Sequence, residues 1–294
     1  MPQLDPELVD ADAVGAGLDA LDTPPDTAQR PSLARRIAWA VLPPVAFLVL
    51  VVTVWQALWA AAIWPEYQLP APLKVWDELS EQFATGAALS IIWTSVSRAV
   101  FGFLIAIVVA TPLGLLVAKV RVVRSAIGPF LSGLQSLPSV AWVPAAVLWF
   151  GVKPTALYTV LLLGSVPSIA NGLVAGIDQI PPILPRVGKV LGAGRLAASW
   201  HILLPAALPG YLAGLKQGWA FSWRSLMAAE IIAVSPLLGK GLGAYLDDGR
   251  ALADMPTVIA AIVLILLVGV GIELLVFRPI ERAVLRTRGL SGGT

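Results

Sequence analysis

Five ionisable side chains stand where the surrounding sequence is apolar: Arg98, Lys216, Arg224, Glu230 and Glu273. An Arg at the centre of a membrane helix costs about 2.5–3.5 kcal/mol on insertion scales, so it is expected to face a cavity or a partner. Arg224 and Glu230 are six residues apart in FSWRSLMAAE, residues 221–230. That is about 9 Å along a helix axis, too far for a direct pair within one helix. Two readings of Arg224 are open. It offers positive charge to an anion in a polar cavity, or it is a structural Arg held by backbone carbonyls or by a Glu of another span. Arg98 is expected to snorkel or pair, and Glu273 to lie at the interface. Covalent and metal chemistry find little support. There is no cysteine and one histidine, His201, and no triad, carboxylate pair or metal-ligand spacing stands out. Gly188-Lys189 and Gly239-Lys240 lack the G-x-x-x-x-G-K-[S/T] context that wraps phosphates.

The elements that carry these charges are apolar. Hydrophobic residues make up 57% of the chain and charged ones 13%, against roughly 45–50% and 25% in soluble domains. Six stretches approach the roughly 20 apolar residues that a helical span needs: 37–63, 89–118, 126–150, 155–177, 205–234 and 256–277. Gly and Pro interrupt several, which membrane helices tolerate. Trp39, Trp64 and Trp149 lie near the ends of such runs, as interfacial anchors do. The pattern predicts an all-α membrane protein with six transmembrane helices. With the N-terminus inside, thirteen of the 20 Lys and Arg residues fall on the cytoplasmic side and four outside. The positive-inside rule therefore favours both termini in the cytoplasm.

Residues 1–29 hold seven acidic residues, four Pro and no Lys or Arg. They are expected to form a disordered acidic tail ahead of a membrane domain over 30–290. On the outer side, Pro72 followed by Leu73, Trp76 and Leu79 predicts a short amphipathic surface helix. No nucleic-acid partner is indicated.

Segment 178–205 is expected to be the longest cytoplasmic connection. Pro181, Pro182 and Pro185 open it, and Val187, Val190 and Leu191 follow at helical spacing. Gly192 and Gly194 then interrupt, and a second short helix runs from Arg195 to Leu204 and ends at Pro205. Helix, Gly turn and helix make a compact element whose apolar face must dock somewhere. An interfacial hairpin lying on lipid is one solution.

Gly192 with Ile202-Leu203-Leu204-Pro205 resembles the signature loop of binding-protein-dependent ABC importer permeases, which runs Glu-Ala-Ala, three residues, Gly, nine residues, Ile-x-Leu-Pro. Here Arg186-Val187-Gly188 stands where Glu-Ala-Ala is expected. The resemblance spans roughly residues 69–285 and is closest to permeases for nitrate, sulfonate and taurine. Leu69-Pro70-Ala71-Pro72, Ser136-Leu137-Pro138, Val143-Pro144, Leu148-Trp149-Phe150-Gly151 and Leu226 to Glu230 carry it.

The resemblance implies a plasma (inner) membrane permease that works as a homodimer. Its partners would be two cytoplasmic ATPase subunits and an external substrate-binding protein. ATP and magnesium would be bound by the ATPases; the chain itself would hold no cofactor and catalyse nothing. Arg186, Val187, Lys189, Leu191, Gly192, Ala193, Arg195, His201 and Pro205 would meet the ATPase. Arg224, Glu230, Trp219, Trp223 and Ser136 become candidates for the translocation path or its gate. Trp219 and Trp223, at i and i+4, share a helix face beside Arg224. Glu230 would sit at the outer end of its span, in an external gate or dimer seam, or as a helix-end carboxylate reaching interfacial water. The substrate implied is a small oxoanion. A thiamine precursor or other heterocycle is an alternative, and a stand-alone channel or secondary transporter is the rival from another class.

Overall fold

The structure is a computed structural model. It describes residues 33–192, 194–235 and 238–286, with side chains from residue 41 onward except those of residues 185, 189, 195 and 196. The tail over 1–29 and Ala193 lie outside the described residues, as do the side chains of Lys189 and Arg195. The described residues are helical, joined by turns and short connections. Two units are distinguished, residues 1–61 and 62–294. The first contributes α1 (Leu33–Ala60), which stays helical through Pro43 and Pro44.

The second unit begins with α2 (Pro72–Ala84), which has Pro72 in its first turn, where a missing N–H costs nothing. This is the expected surface helix, but a different face is buried. Val75 is buried, whereas Leu73 and Trp76 are about two-thirds exposed. Next comes α3 (Ala87–Lys119). Its buried stripe is Ala88, Ile91, Ser95, Ala99, Gly102, Ala106, Ala110, Gly114 and Val117, a helical period of mostly small residues. Large apolar residues such as Trp93, Phe101, Leu104 and Val108 point away from the core. A helix apolar on every face suits a lipid environment.

The expected third span is not straight. It divides into α4 (Arg121–Ser136), a 3₁₀ turn (Ser139–Trp142) and α5 (Val143–Phe150), with a bend of 98°. Pro138 forces Leu137 into an extended conformation, φ −75° and ψ 128°, and so ends α4. The central helix, α6 (Pro154–Asp178), packs against α3, α4, α5 and α9. Then come α7 (Ile183–Val190), α8 (Arg195–Ala198), a π-helical turn (Ser199–Leu203) and α9 (Leu204–Ile232). The chain closes with α10 (Leu242–Ala251), α11 (Met255–Ile272), a second π turn (Glu273–Phe277) and α12 (Arg278–Arg286).

The α6–α9 contact rests on glycines spaced four apart on both helices. A Cβ at Gly172 would lie 2.3 Å from the Gly214 Cα, and one at Gly210 would lie 2.6 Å from the Gly176 Cα. Apolar burial from lipid offers little driving force, so close backbone approach and van der Waals packing hold such pairs together.

Among the described residues, four helices are long and apolar enough to cross a membrane: Val41–Ala60, Ala87–Lys119, Pro154–Asp178 and Met255–Arg286. The bent α4–α5 pair makes five if counted as one span. The remaining expected span, the fifth in chain order, is α9, 29 residues long, about 44 Å at 1.5 Å per residue. Its Lys216, Gln217, Arg224 and Glu230 leave it without an equally apolar stretch.

Candidate functional site

The hairpin of α7, the Gly192 turn and the π turn forms one end of the site. Gly192 takes φ +73°, the left-handed region open to glycine. The expected second helix does not end at Pro205. Ser199–Leu203 widens into a π turn, and Leu203 and Leu204 keep helical dihedrals into α9. Pro205 then falls in the first turn of α9, where proline fits. The widened turn thus lets the hairpin run straight into a long helix. Gly188 closes the hairpin: a Cβ there would lie 2.2 Å from the Ile202 Cδ1. The two halves of the signature therefore touch each other. Val187, Val190 and Leu191 remain exposed at the tip, with Arg186 beside them. His201 is exposed, and its Nδ1 lies 3.1 Å from the Ala197 carbonyl.

Arg224 lies in a cleft of about 720 Å³ between α9 and the α11–α12 arm. Trp219, Trp223, Lys216, Gln217 and Glu273 line it as well. The two indoles are stacked, 17° from parallel with centroids 6.4 Å apart. The Arg224 Nε donates to its own helix at the Ala220 carbonyl, 3.1 Å away, and its guanidinium sits 4.7 Å from the Phe221 ring centroid. Lys216 is paired with Glu273 at 2.5 Å and lies 3.7 Å from Glu281. Arg224 makes no ion pair among the described residues, while Glu273 and Glu281, both lining the cleft, face Lys216. The backbone contact and the cavity exposure occur together.

Glu230 is elsewhere. The residue is buried, 3% exposed, rather than open at a helix end. It accepts from Ser95 Oγ at 2.7 Å, Arg98 Nη1 at 2.8 Å and the Gly243 N–H at 3.1 Å. Ser95 Oγ in turn accepts from the Leu242 N–H at 2.8 Å. A Cβ at Gly241 would lie 2.5 Å from the Glu230 carboxylate. The GKGLG segment, 239–243, is therefore a glycine cradle for a carboxylate, tying α3, α9 and α10 together. Nearby, the Tyr245 hydroxyl donates to Glu78 Oε1 at 2.6 Å. Burial first, and then Glu78, push that phenol well above its ordinary range.

The family model for the binding-protein-dependent transport system inner membrane component matches residues 110–280. This chain belongs to that family. The permease is 30% identical over 228 residues to a putative ABC transporter permease protein of Methanocaldococcus jannaschii, covering 76% of this chain and 84% of that one. It is 26% identical to the taurine transport system permease protein of Escherichia coli, covering 82% and 90% of the two chains. It is 29% identical to a nitrate import permease protein of Synechocystis, covering 79% and 85%. In fold it is similar to a chain of the MetNI methionine ABC transporter solved in inward-facing conformations. The TM-score is 0.53 at 18% identity, over 67% of this chain and 95% of that one.

In the permease, the predicted path residues separate into three places. Arg224, Trp219 and Trp223 share the cleft. Glu230 belongs to the buried cradle. Ser136 is exposed and donates to its own helix at the Gly133 carbonyl, 2.8 Å away. At the α4–α5 bend it is Ser139 that meets α9, accepting from Ser225 Oγ at 2.7 Å, and Asn171 donates to Gln135 at 3.0 Å. Sequence reasoning left Lys216 without a role and missed Ser95 and Gly243. Ser95 falls on the small-residue stripe of α3, which is the signal that could have found it.

Proposed function

We propose that the permease crosses the membrane six times with both termini cytoplasmic, and pairs with a second copy to form the path of an ATP-driven importer. Two cytoplasmic ATPase subunits dock on the hairpin around Arg186–Pro205, through exposed Val187, Val190 and Leu191. The hairpin's closed packing at Gly188–Ile202 suits it to pass a push from the ATPase directly into α9. An external binding protein delivers a small oxoanion such as a sulfonate or nitrate. The observation that carries the substrate class is Arg224, a cation with no ion pair among the described residues, in a cleft walled by two indoles. The taurine and nitrate relatives point the same way.

The reading is tested by co-purifying the chain with its ATPases and measuring uptake in proteoliposomes with the binding protein. Uptake of an oxoanion that stops without ATP is expected; transport by the chain alone would refute the reading. The stacked Trp219–Trp223 pair also favours a second reading, a flat heterocycle such as a thiamine precursor. A thermal-shift screen of the binding protein separates the two, since a heterocycle that stabilises it while oxoanions do not would replace the oxoanion.

A further inference from the structure

A second cavity, of about 680 Å³, lies along the outer side of α3 where it meets the π turn. Val108, Leu116, Lys119, Ser199, Trp200 and Tyr211 are among its lining residues. Its long wall is apolar and opens on the face of α3 where Val108 is 72% exposed. The polar groups in its depth are paired with one another: Thr111 Oγ and the Tyr211 hydroxyl are 2.6 Å apart, and Thr111 also lies 2.6 Å from the Ile107 carbonyl. The depth of the groove therefore presents carbon to whatever fills it. Its charge is at one end. Lys119, the last residue of α3, hydrogen-bonds Ser199 Oγ there, beside exposed Trp200. Arg121 follows, lining a shallow hollow with Ser125. Among the described residues, no acidic side chain lines either cavity.

We propose that this groove binds an anionic phospholipid. One acyl chain lies along Val108 and Leu116, and the phosphate meets the Lys119 ammonium beside Trp200. A basic residue and an indole at the end of an apolar channel match the level at which a headgroup sits. A zwitterionic lipid would fill the same channel but gain less from the net positive rim. The bound lipid would rest against both α3 and the turn that leads into the hairpin. The inference depends only on α3 crossing the membrane, not on the transport reading, and its test needs neither ATPase nor substrate.

The full chain is purified in detergent with equal amounts of phosphatidylglycerol and phosphatidylcholine, and retained lipid is counted by native mass spectrometry. Phosphatidylglycerol is expected to be retained preferentially. Lys119→Gln should lower that preference about fivefold, the effect of one basic residue near an anionic surface, while Lys119→Arg preserves it. Val108→Trp, on the exposed wall, should lower retention of both lipids. Equal retention of the two lipids by the unmodified chain would overturn the proposal. So would an undiminished preference in Lys119→Gln, or full displacement of the lipid by inorganic phosphate, which would mark a free-phosphate site.

Discussion

Arg98 and Glu230 are 132 residues apart in the chain and 2.8 Å apart in the structure. The guanidinium comes from α3 and the carboxylate from α9, and their side chains are 15% and 2% exposed. Ser95 and the Gly243 N–H complete the carboxylate's contacts. The cradle thus pairs Arg98 of α3 with Glu230 of α9 and fixes α10 against them.

Removing one member of a buried pair is worse than removing both, because it leaves an uncompensated charge. Glu230→Gln should destabilise the protein by about 3–5 kcal/mol. The Arg98→Met/Glu230→Gln double variant should recover part of that loss. Thermal unfolding in detergent reads both. A double variant no more stable than the single would mean that the charge pair is not what the cradle depends on.

The helix contacts offer a sharper contrast. Gly172→Ala places a methyl 2.3 Å from the Gly214 Cα, where backbone cannot yield cheaply. A cost of at least about 1–3 kcal/mol is expected, as for other overpacked sites. Gly214→Ala should cost a similar amount, and the two should not add, since both wedge apart the same contact. Gly133→Ala in α4 meets nothing within 4 Å. It should be neutral or stabilising by up to about 1 kcal/mol, because alanine favours the helix. Equal effects at Gly172 and Gly133 would argue against the tight α6–α9 crossing.

Tyr245 gives a pH test. Its phenol is held protonated by burial and by the bond to Glu78. A raised pKa means that the protonated form favours the folded state. The contribution is fully present below the ordinary tyrosine value of about 10, and is lost as pH rises through the higher folded value. The stability gap between the unmodified chain and Tyr245→Phe should therefore stay flat through neutral pH and close only in strong alkali. A gap that closes near neutrality would show that the phenol is not the titrating group.

The sequence made the long apolar helices legible because their pattern is local. It also made the hairpin legible, through glycine, proline and a spaced signature. It could not join Glu230 to Arg98, because each is uninformative until the partner helix is in place. Glu230 thus reads as a gate or seam residue or as a helix-end carboxylate, with nothing to point to Arg98. Pro138 was visible, but whether it kinks a span or breaks it by 98° depends on what packs in the bend, here Ser139 on Ser225. Pro205 misled in the opposite sense. Proline stops a helix that arrives from its N-terminal side, unless the preceding turn widens, as Ser199–Leu203 does.

Arg224 separates path from scaffold. Among the described residues its side chain is tied to the Ala220 carbonyl and the Phe221 ring alone. Arg224→Gln keeps a polar side chain at that position and removes only the charge. Stability should change by less than about 1 kcal/mol, since no buried pair is broken. Uptake of an anionic substrate should fall by tenfold or more, the loss of one charge-assisted contact of about 1.5–3 kcal/mol. Unchanged anion uptake in a variant that still assembles would remove Arg224 from the path.

The hairpin carries the last prediction. Arg186 stands where the resemblance expects an acid, and it is exposed beside Val187 and Val190. If the tip docks on an ATPase, that surface must complement a cation, and reversing the sign should cost more than erasing it. Arg186→Glu should lower transport-coupled ATP hydrolysis further than Arg186→Gln, and added salt should weaken wild-type coupling, as it does exposed ion pairs. Gly188→Ala tests the other half of the same idea. The added methyl meets only the flexible end of Ile202, 2.2 Å away, so the protein should fold. Yet the π turn must shift to admit it, and coupling should drop while substrate delivery to the outer face is unaffected. Gly188→Ala/Ile202→Val, which trims the clashing Cδ1, should restore coupling. A double variant as defective as Gly188→Ala would show that the contact between the hairpin's two halves does not transmit the push.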